Sequence, residues 1–398
     1  MKSNRYSFLF NSALTLTLLG AAAGLMFSQN GQPAADAKTD AKDKQVGVNG
    51  FGKQKPPERA GSMEKIVVHG KSLEGNLEGD SPDRDVFVYL PPSYTKNRNQ
   101  RYPVVYFLHG YLAYAETYTN AMWASDGADK DIANGTAKEM IAVFPDSHTI
   151  YNGSMYSNSP TTGDWEAFVA EDLISYIDSH YRTIASRESR GLAGHSMGGY
   201  GTLRIAMKHP ELYAAIYPMS SCCLMNNQFA ARGGPPAGKQ GDAKAKAFAP
   251  PPPDKGGDAA KGKGKGGRGG GGFDTTFALA AAWSSNPNNP PQFFDLPTKD
   301  GQVVPEVAAR WIANSPLAMV DQYWSNLKKF KAFKMDCGLQ DGLQGSNKEM
   351  DQALTRLGVV HTYETYEGDH TNHVKERWEQ SVVPFFSNNL SFTAAKKK

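Results

Sequence analysis

The chain has 398 residues, of which 40% are hydrophobic, and this is enough to bury one large core. Its formal net charge of +3 is too small to indicate a nucleic acid as partner. With only three cysteines, a scaffold held together by several disulfides is excluded, so the core has to supply the stability.

The first segment is typical of an export signal. Lys2 and Arg5 precede an apolar run over residues 8–19, and small residues follow the run. Because the run is too short for a comfortable membrane span, we predict a signal peptide over residues 1–23, with a cleavage site left open up to residue 37. An uncleaved N-terminal anchor is the alternative. The protein is therefore expected to be secreted or periplasmic, with no stable membrane span after signal removal.

A polar linker precedes the predicted folded domain. Residues 24–62 are rich in Gly, Pro and Lys, which predicts flexibility, and ordered sequence is expected over residues 63–390. Two alternating segments, KIVVHG and RDVFVYLPPSY, predict neighbouring strands of a hairpin. The next two apolar runs, YPVVYFLHG and EMIAVFPD, predict central parallel strands buried on both faces.

Helices and strands alternate along the rest of the domain. A helix is predicted for DWEAFVAEDLISYIDSHY, which carries its apolar residues on one face. The segment SRGLAGHS predicts a strand entering a turn, MGGYGTLRIAMKHP a helix, and YAAIYPMSS a strand. Later segments predict a strand in FKAFKMDCGLQD, a helix in KEMDQALTRLGV, a strand and loop in HTYETYEGDH, and a last helix in HVKERWEQSVVPFFSNNL. This alternation predicts an α/β fold, with a mostly parallel central sheet and helices on both faces.

A low-complexity segment interrupts the domain at residues 232–272. It holds nine Lys and Arg against three Asp and has almost no large apolar residues, so it cannot bury enough surface to offset its ordering entropy. We therefore expect a disordered insertion. It could act as a lid, as a tether to anionic cell-wall polymer, or simply be an insertion tolerated at the surface. Residues 391–398 form a predicted basic tail.

Ser196 lies in the pentapeptide GHSMG, between a predicted strand and a predicted helix. A nucleophilic serine needs this context, because a strained strand-to-helix turn pushes its Oγ outward. Gly194 and Gly198 flank the serine, since side chains there would collide across the turn. The N-terminus of the following helix favours negative charge, and the backbone N–H of Met197 is placed to bind an oxyanion. The alternative is a serine in an ordinary turn.

A nucleophilic serine needs a base and an acid, and both follow it along the chain in hydrolases with such a turn. His370 lies on a glycine-containing loop directly after a predicted strand and is the favoured base. His373, at the start of the last helix, is the alternative base, whereas His361 falls within a strand. Asp341 follows the carboxyl end of a strand, where sites of α/β sheets lie, and is the favoured acid. Asp336 lies inside that strand and suits a structural role.

Two further sets of residues are predicted from the loops. The loop after YFLHG is expected to supply the second oxyanion donor, the N–H of Tyr111, with Leu112 next, while His109 orients the loop. Tyr151 and Trp165 lie in or next to a polar loop after another central strand. Together with His195, they are predicted to contact substrate, although an ordinary polar loop is an equal alternative.

Six segments together carry a resemblance to a known family: VFVYLPPSY, YPVVYFLHGY, FVAEDLISYIDSHYRT, GLAGHSMGGYGTLRIAMKHPELYAAIYPMSS, DCGLQD and YEGDH. In combination they resemble the esterase D-like "putative esterase" family of α/β-hydrolases, which includes carbohydrate esterases of family one and the secreted mycolyltransferases. The resemblance implies the α/β-hydrolase fold. It also implies Ser196, Asp341 and His370 as catalytic triad, and the Tyr111 and Met197 amides as oxyanion hole.

The same resemblance implies a secreted serine carboxylic-ester hydrolase that uses an acyl-serine intermediate and no metal or other cofactor. Its expected partner is a small-molecule or polysaccharide ester, with feruloyl or acetyl esters first. Two alternatives stay open: an acyltransferase of the mycolyltransferase type, and a non-catalytic binding module on the hydrolase fold. The basic insertion and the unusual Cys222-Cys223 pair depart from the family pattern and leave the substrate open. The oligomeric state is not indicated.

Overall fold

The computed structural model describes residues 60–224 and 275–393. The predicted signal peptide, nearly all of the predicted linker, the predicted insertion and the last five residues lie outside these ranges. Within them, no helix combines the length and the apolar character needed to cross a membrane.

An eight-stranded sheet forms the centre of the described part of the chain. Its strands are β1 (Ser62–His69), β2 (Asp83–Leu90), β3 (Val104–Leu108), β4 (Ile141–Pro145), β5 (Arg190–His195), β6 (Ala215–Met219), β7 (Ala332–Gly338) and β8 (Thr362–Tyr366). Their order across the sheet is β1-β2-β4-β3-β5-β6-β7-β8. Strand β2 runs antiparallel to both neighbours, and the other pairings are parallel. The predicted hairpin and the mostly parallel sheet are therefore confirmed.

Strand β3 shows why its sequence is a continuous apolar run. Val104, Tyr106 and Leu108 pack into a core on one face of the sheet, and Val105 and Phe107 pack into a second core. All five residues are buried. A strand that is covered on both faces has no solvent-facing positions, so apolar and polar residues do not alternate.

Helices cover both faces of the sheet. They are α1 (Ala115–Ala121), α2 (Ala124–Ala133), α3 (Trp165–Ala167), α4 (Leu173–His180), α5 (Met197–Lys208), α6 (Thr276–Trp283), α7 (Pro305–Ala313), α8 (Pro316–Leu327), α9 (Gln344–Arg356), α10 (Val374–Arg377) and α11 (Val383–Asn389). A π-helical turn joins α3 to α4 and another joins α10 to α11. Helices α4 and α5 contribute to the first core, and α2 and α11 to the second.

The predicted helices correspond to α3–α4, α5, α9 and α10–α11. Helices α1 and α2 and the three helices α6 to α8 were not predicted. Helix α6 shows the reason, because its sequence TFALAAAW is buried over residues 278–283 and so has no polar face that would reveal a helical period.

Candidate active site

Ser196 lies on the turn between β5 and α5, with φ 58° and ψ −113°. Positive φ is uncommon for a residue that has a side chain, and it persists only where the surroundings enforce it. Here the backbone is held from the end of β6: the N–H of Ser196 donates to the carbonyl of Met219 at 3.0 Å, and the N–H of Cys222 donates to the carbonyl of Ser196 at 3.1 Å. The strained turn is therefore fixed by its neighbour in the sheet.

The glycines around Ser196 allow backbone segments to approach each other closely. A Cβ at Gly194 would overlap the backbone of Gly198, and a Cβ at Gly198 would overlap the carbonyl of Leu108. The predicted collision across the turn is thus confirmed. A Cβ at Gly110 would lie 3.3 Å from the Cβ of Ser196, so the loop after β3 passes directly beside the serine.

His370 lies between Ser196 and Asp341, on the loop that follows β8. Its Nε2 is 2.9 Å from Ser196 Oγ, and its Nδ1 is 2.8 Å from Asp341 Oδ2. The structure therefore brings the three predicted residues into one line of hydrogen bonds. His373, the alternative base, precedes α10, and its Nδ1 lies 3.7 Å from the carboxylate of Glu376.

The carboxylate of Asp341 is buried and yet ionised. Burial opposes its charge, but the hydrogen bond with His370, the charge of His370 and the backbone N–H of Leu343 at 2.8 Å together lower its pKa below the usual value. An ionised Asp341 holds the hydrogen of the imidazole on Nδ1. Nε2 is then left as the acceptor that faces the Ser196 hydroxyl.

The loops that carry Asp341 and His370 are tied to each other. The N–H of Gln340 donates to the carbonyl of Gly368 at 2.9 Å, and the N–H of Gly368 donates to the side chain of Gln340 at 2.6 Å. The carboxylate of Asp369 accepts from the two backbone N–H groups after His370. These bonds hold the loop of Asp341 in a fixed position relative to the loop of His370.

Two backbone amides are the predicted oxyanion donors. Met197 is the first residue of α5, so its N–H has no acceptor inside the helix. Tyr111 follows Gly110 on the loop beside Ser196. The N–H of Leu112, the other predicted donor, bonds instead to the carbonyl of Asn152 at 3.0 Å. Tyr111 stays the predicted donor on this loop.

His109 orients the loop, as predicted. Its Nε2 accepts from the N–H of Ser147 at 2.8 Å, so Nδ1 carries the hydrogen and donates to the carbonyl of Gly110 at 2.8 Å. Burial lowers the pKa of His109, which keeps the ring neutral. The hydroxyl of Tyr156 donates to the His109 carbonyl at 3.0 Å and holds the loop from below.

Two residues predicted to contact substrate are buried and hydrogen-bonded within the protein, so their contact with substrate stays a prediction. Trp165 is 1% exposed, and its Nε1 donates to the carbonyl of Thr162 at 2.7 Å, so it belongs to the core. His195 is 2% exposed and has both nitrogens engaged. Its Nδ1 accepts from the Tyr118 hydroxyl at 2.6 Å, and its Nε2 donates to the carbonyl of His370 at 2.8 Å. Burial lowers the pKa of His195 to about 3, so the ring stays neutral.

Tyr151, the third such residue, is half-buried on the loop after β4. Gly153 of the same loop abuts Met197, because a Cβ there would lie 2.5 Å from the sulfur of Met197. The ring of Tyr151 packs edge-on against Phe277 and Phe294. Four exposed apolar side chains lie on this loop or on segments that contact it, and we call them the apolar rim: Leu112, Tyr114, Ile150 and Phe277.

Known proteins resemble this chain in sequence. Residues 81–384 match the model of a family described as putative esterase. The chain is 32% identical over 161 residues to an endo-1,4-beta-xylanase/feruloyl esterase of Xylanibacter ruminicola, a match that covers 37% of this chain and 21% of that protein. It is 30% identical over 154 residues to an esterase of Mycobacterium tuberculosis, with 36% of this chain and 30% of that protein covered. The chain thus matches less than a third of the length of these curated relatives.

A solved structure of a ferulic acid esterase resembles the chain with a TM-score of 0.57 at 22% identity. The match covers 84% of this chain and 100% of that chain. Together with the observed strand order, this likeness confirms the predicted α/β-hydrolase fold.

Proposed function

The chain belongs to the putative esterase family, and on that premise we propose that it is a serine esterase that hydrolyses carboxylic esters through an acyl enzyme on Ser196. One observation carries this proposal, namely the line of hydrogen bonds from Ser196 through His370 to Asp341, at 2.9 and 2.8 Å. A serine hydroxyl is a weak nucleophile until an adjacent base accepts its proton. The imidazole of His370 is within reach for that transfer.

In the first step, His370 Nε2 accepts the hydroxyl proton while Ser196 Oγ attacks the ester carbonyl. The imidazolium that forms is stabilised by the ionised Asp341 at its other nitrogen. Asp341 does not take the proton; it orients the ring and balances the charge. The same proton then passes from His370 to the leaving alcohol, which departs and leaves an acyl group on Ser196.

The negative charge of the tetrahedral intermediate is stabilised by the backbone N–H groups of Met197 and Tyr111. Each such donor contributes about 3 kcal/mol to the transition state. The N-terminal end of α5 adds a favourable field at the same point. In the second half of the cycle, water takes the place of the alcohol, loses a proton to His370 and attacks the acyl carbon. His370 then returns that proton to Ser196 Oγ as the acid leaves.

We further propose feruloyl or acetyl esters of polysaccharides as substrates. The apolar rim and the half-buried Tyr151 support an aryl group beside the serine, since aromatic rings pack edge-on or offset against one another. A relative with a feruloyl esterase name points to the same class. The segment over residues 1–23 supports action outside the cytoplasm.

The test is a substrate panel on the purified full chain, combined with a fluorophosphonate probe. We expect hydrolysis of methyl ferulate and of acetylated xylan, with much slower release from a long-chain p-nitrophenyl ester. The probe should label one residue, Ser196, and the label should block hydrolysis. Absence of both label and hydrolysis would refute the esterase. A preference for the long-chain ester would refute the substrate class alone.

His195 is proposed as a positioning residue, because it connects Tyr118 to the main chain of His370. His195→Phe keeps the buried volume but removes both hydrogen bonds. We expect kcat to fall by between about ten- and a hundredfold, with KM unchanged, because the imidazole of His370 loses a fixed support. The measurement is the initial rate of p-nitrophenyl acetate hydrolysis over a range of pH, since a shifted pH profile reports on His370 itself.

His195→Asn is the matched variant for this prediction. Its side-chain amide can donate to the His370 carbonyl, so it should restore part of kcat, whereas Tyr118→Phe should cost less than His195→Phe. An unchanged kcat in a folded His195→Phe protein would show that the contact has no role in the reaction.

A further inference from the structure

Cys222 and Cys223 are adjacent in the chain just after β6, and no step of the proposed mechanism uses them. Both are free thiols. Their sulfur atoms lie 2.6 Å apart. A disulfide bond is about 2.05 Å long, so a bond between these sulfurs needs a shift of only about half an ångström.

The backbone explains how two neighbouring side chains meet. Successive side chains of an extended segment point to opposite sides. Cys223 departs from this rule, because its φ is 59°. The preceding residues are held in place, since the N–H of Ser220 donates to the carbonyl of Asp336 at 2.8 Å and the N–H of Ser221 donates to the side chain of Asn347 at 3.1 Å.

The pair is also attached to the nucleophile. The N–H of Cys222 donates to the carbonyl of Ser196 at 3.1 Å. Cys222 is 9% exposed and Cys223 is more exposed, so a reagent reaches Cys223 first. The remaining cysteine, Cys337, is fully buried and lies against Asp341 with its sulfur 3.5 Å from the carboxylate.

We propose that Cys222 and Cys223 are a redox modification site that closes to a vicinal disulfide by exchange with a low-molecular-weight disulfide such as oxidised glutathione. The thiolate of Cys223 attacks one sulfur of the reagent, forms a mixed disulfide and expels one glutathione thiolate. The thiolate of Cys222 then attacks the sulfur of Cys223 and expels the second glutathione. The two thiol protons pass to the two leaving thiolates, so one disulfide is consumed and one is formed.

A consequence for activity rests on the proposed esterase function. The open pair is a vicinal dithiol, and a trivalent arsenical binds both sulfurs of such a pair at once. The N–H of Cys222 is hydrogen-bonded to the carbonyl of Ser196, so an aryl arsenical held by the pair would lie close to the nucleophile. It would hinder access of the ester. The closed disulfide has no thiol to offer and is insensitive to the arsenical.

The first experiment measures the intact mass of the full chain. Reduced protein is treated with oxidised glutathione, then denatured and alkylated with iodoacetamide. We expect the wild-type chain to lose two hydrogens and to take up one alkyl group, on Cys337. Cys222→Ser and Cys223→Ser should form no internal bond and should retain glutathione or react with iodoacetamide at the remaining cysteine. Alkylation of all three wild-type cysteines, or a persistent glutathione adduct, would overturn the proposal.

The second experiment tests phenylarsine oxide against the hydrolysis of p-nitrophenyl acetate. Reduced wild-type protein should lose most of its rate and regain it with excess dithiothreitol. The oxidised protein and Cys223→Ser, each compared with its own untreated rate, should keep theirs. Equal inhibition of reduced wild type and Cys223→Ser would contradict the assignment. If the chain hydrolyses no ester, the mass measurement still decides whether the disulfide forms.

Discussion

Ser196→Ala is expected to lower kcat for p-nitrophenyl acetate by about 10⁵- to 10⁶-fold. The substitution removes the proposed attacking atom, while the proposed oxyanion donors and the imidazole stay in place. Residual hydrolysis then depends on water bound near His370. The measurement is the initial rate under saturating substrate, with active-site titration by a fluorophosphonate to set the enzyme concentration of the wild type.

The matched control is Ser175→Ala on the exposed face of α4. This change removes a serine hydroxyl without touching the site, so its rate should equal that of the wild type. Both variants should have the wild-type melting temperature within a few degrees. A Ser196→Ala protein that is pure, folded and as active as the Ser175→Ala control would end the proposed mechanism.

Asp341→Asn is expected to lower kcat by about 10⁴-fold. Asparagine has almost the same shape, so the fold is retained, but its amide can present a donor to Nδ1 of His370. The hydrogen of the ring then moves to Nε2, which can no longer accept the proton of Ser196. The loss should be seen in kcat more than in KM, because substrate binding does not involve Asp341.

Asp336→Asn is the comparison that separates the two candidate acids. Asp336 is fully buried, where it accepts from the Nε of Arg377 at 2.8 Å and from the hydroxyl of Tyr217 at 2.7 Å. Its substitution leaves the buried guanidinium with a weaker partner, so we expect a loss of about 3 kcal/mol of stability. The folded protein should keep kcat within a few fold. The reverse pattern, with a severe loss of kcat for Asp336→Asn and almost none for Asp341→Asn, would contradict the assignment of Asp341 as the acid.

The elements nearest to Ser196 could be predicted because their causes are local. A strand covered on both faces needs a continuous apolar run, and the turn at Ser196 needs glycine on both sides. His370 and Asp341 follow strands that end at the same edge of the sheet, so their loops could be expected to meet. Such inferences depend on short segments and on the common direction of parallel strands.

Contacts between distant segments could not be predicted in this way. His195 directly precedes the serine, which suggests that it contacts substrate. In the structure its ring accepts a hydrogen bond from Tyr118, which lies on a helix that was not predicted. The sequence allows Trp165 either in a polar loop or on the buried face of a helix. Its burial in the structure shows that it belongs to the core. Helix α6 is apolar on every side, so no period marks it as a helix.

The close backbone contacts of Gly194 and Gly198 have a consequence for protein engineering. Randomising these two positions in a library would yield mainly misfolded members, since there is no space for even one methyl group. Diversity introduced at Leu112, Ile150 and Phe277 would instead alter what the enzyme accepts while the reacting atoms keep their geometry.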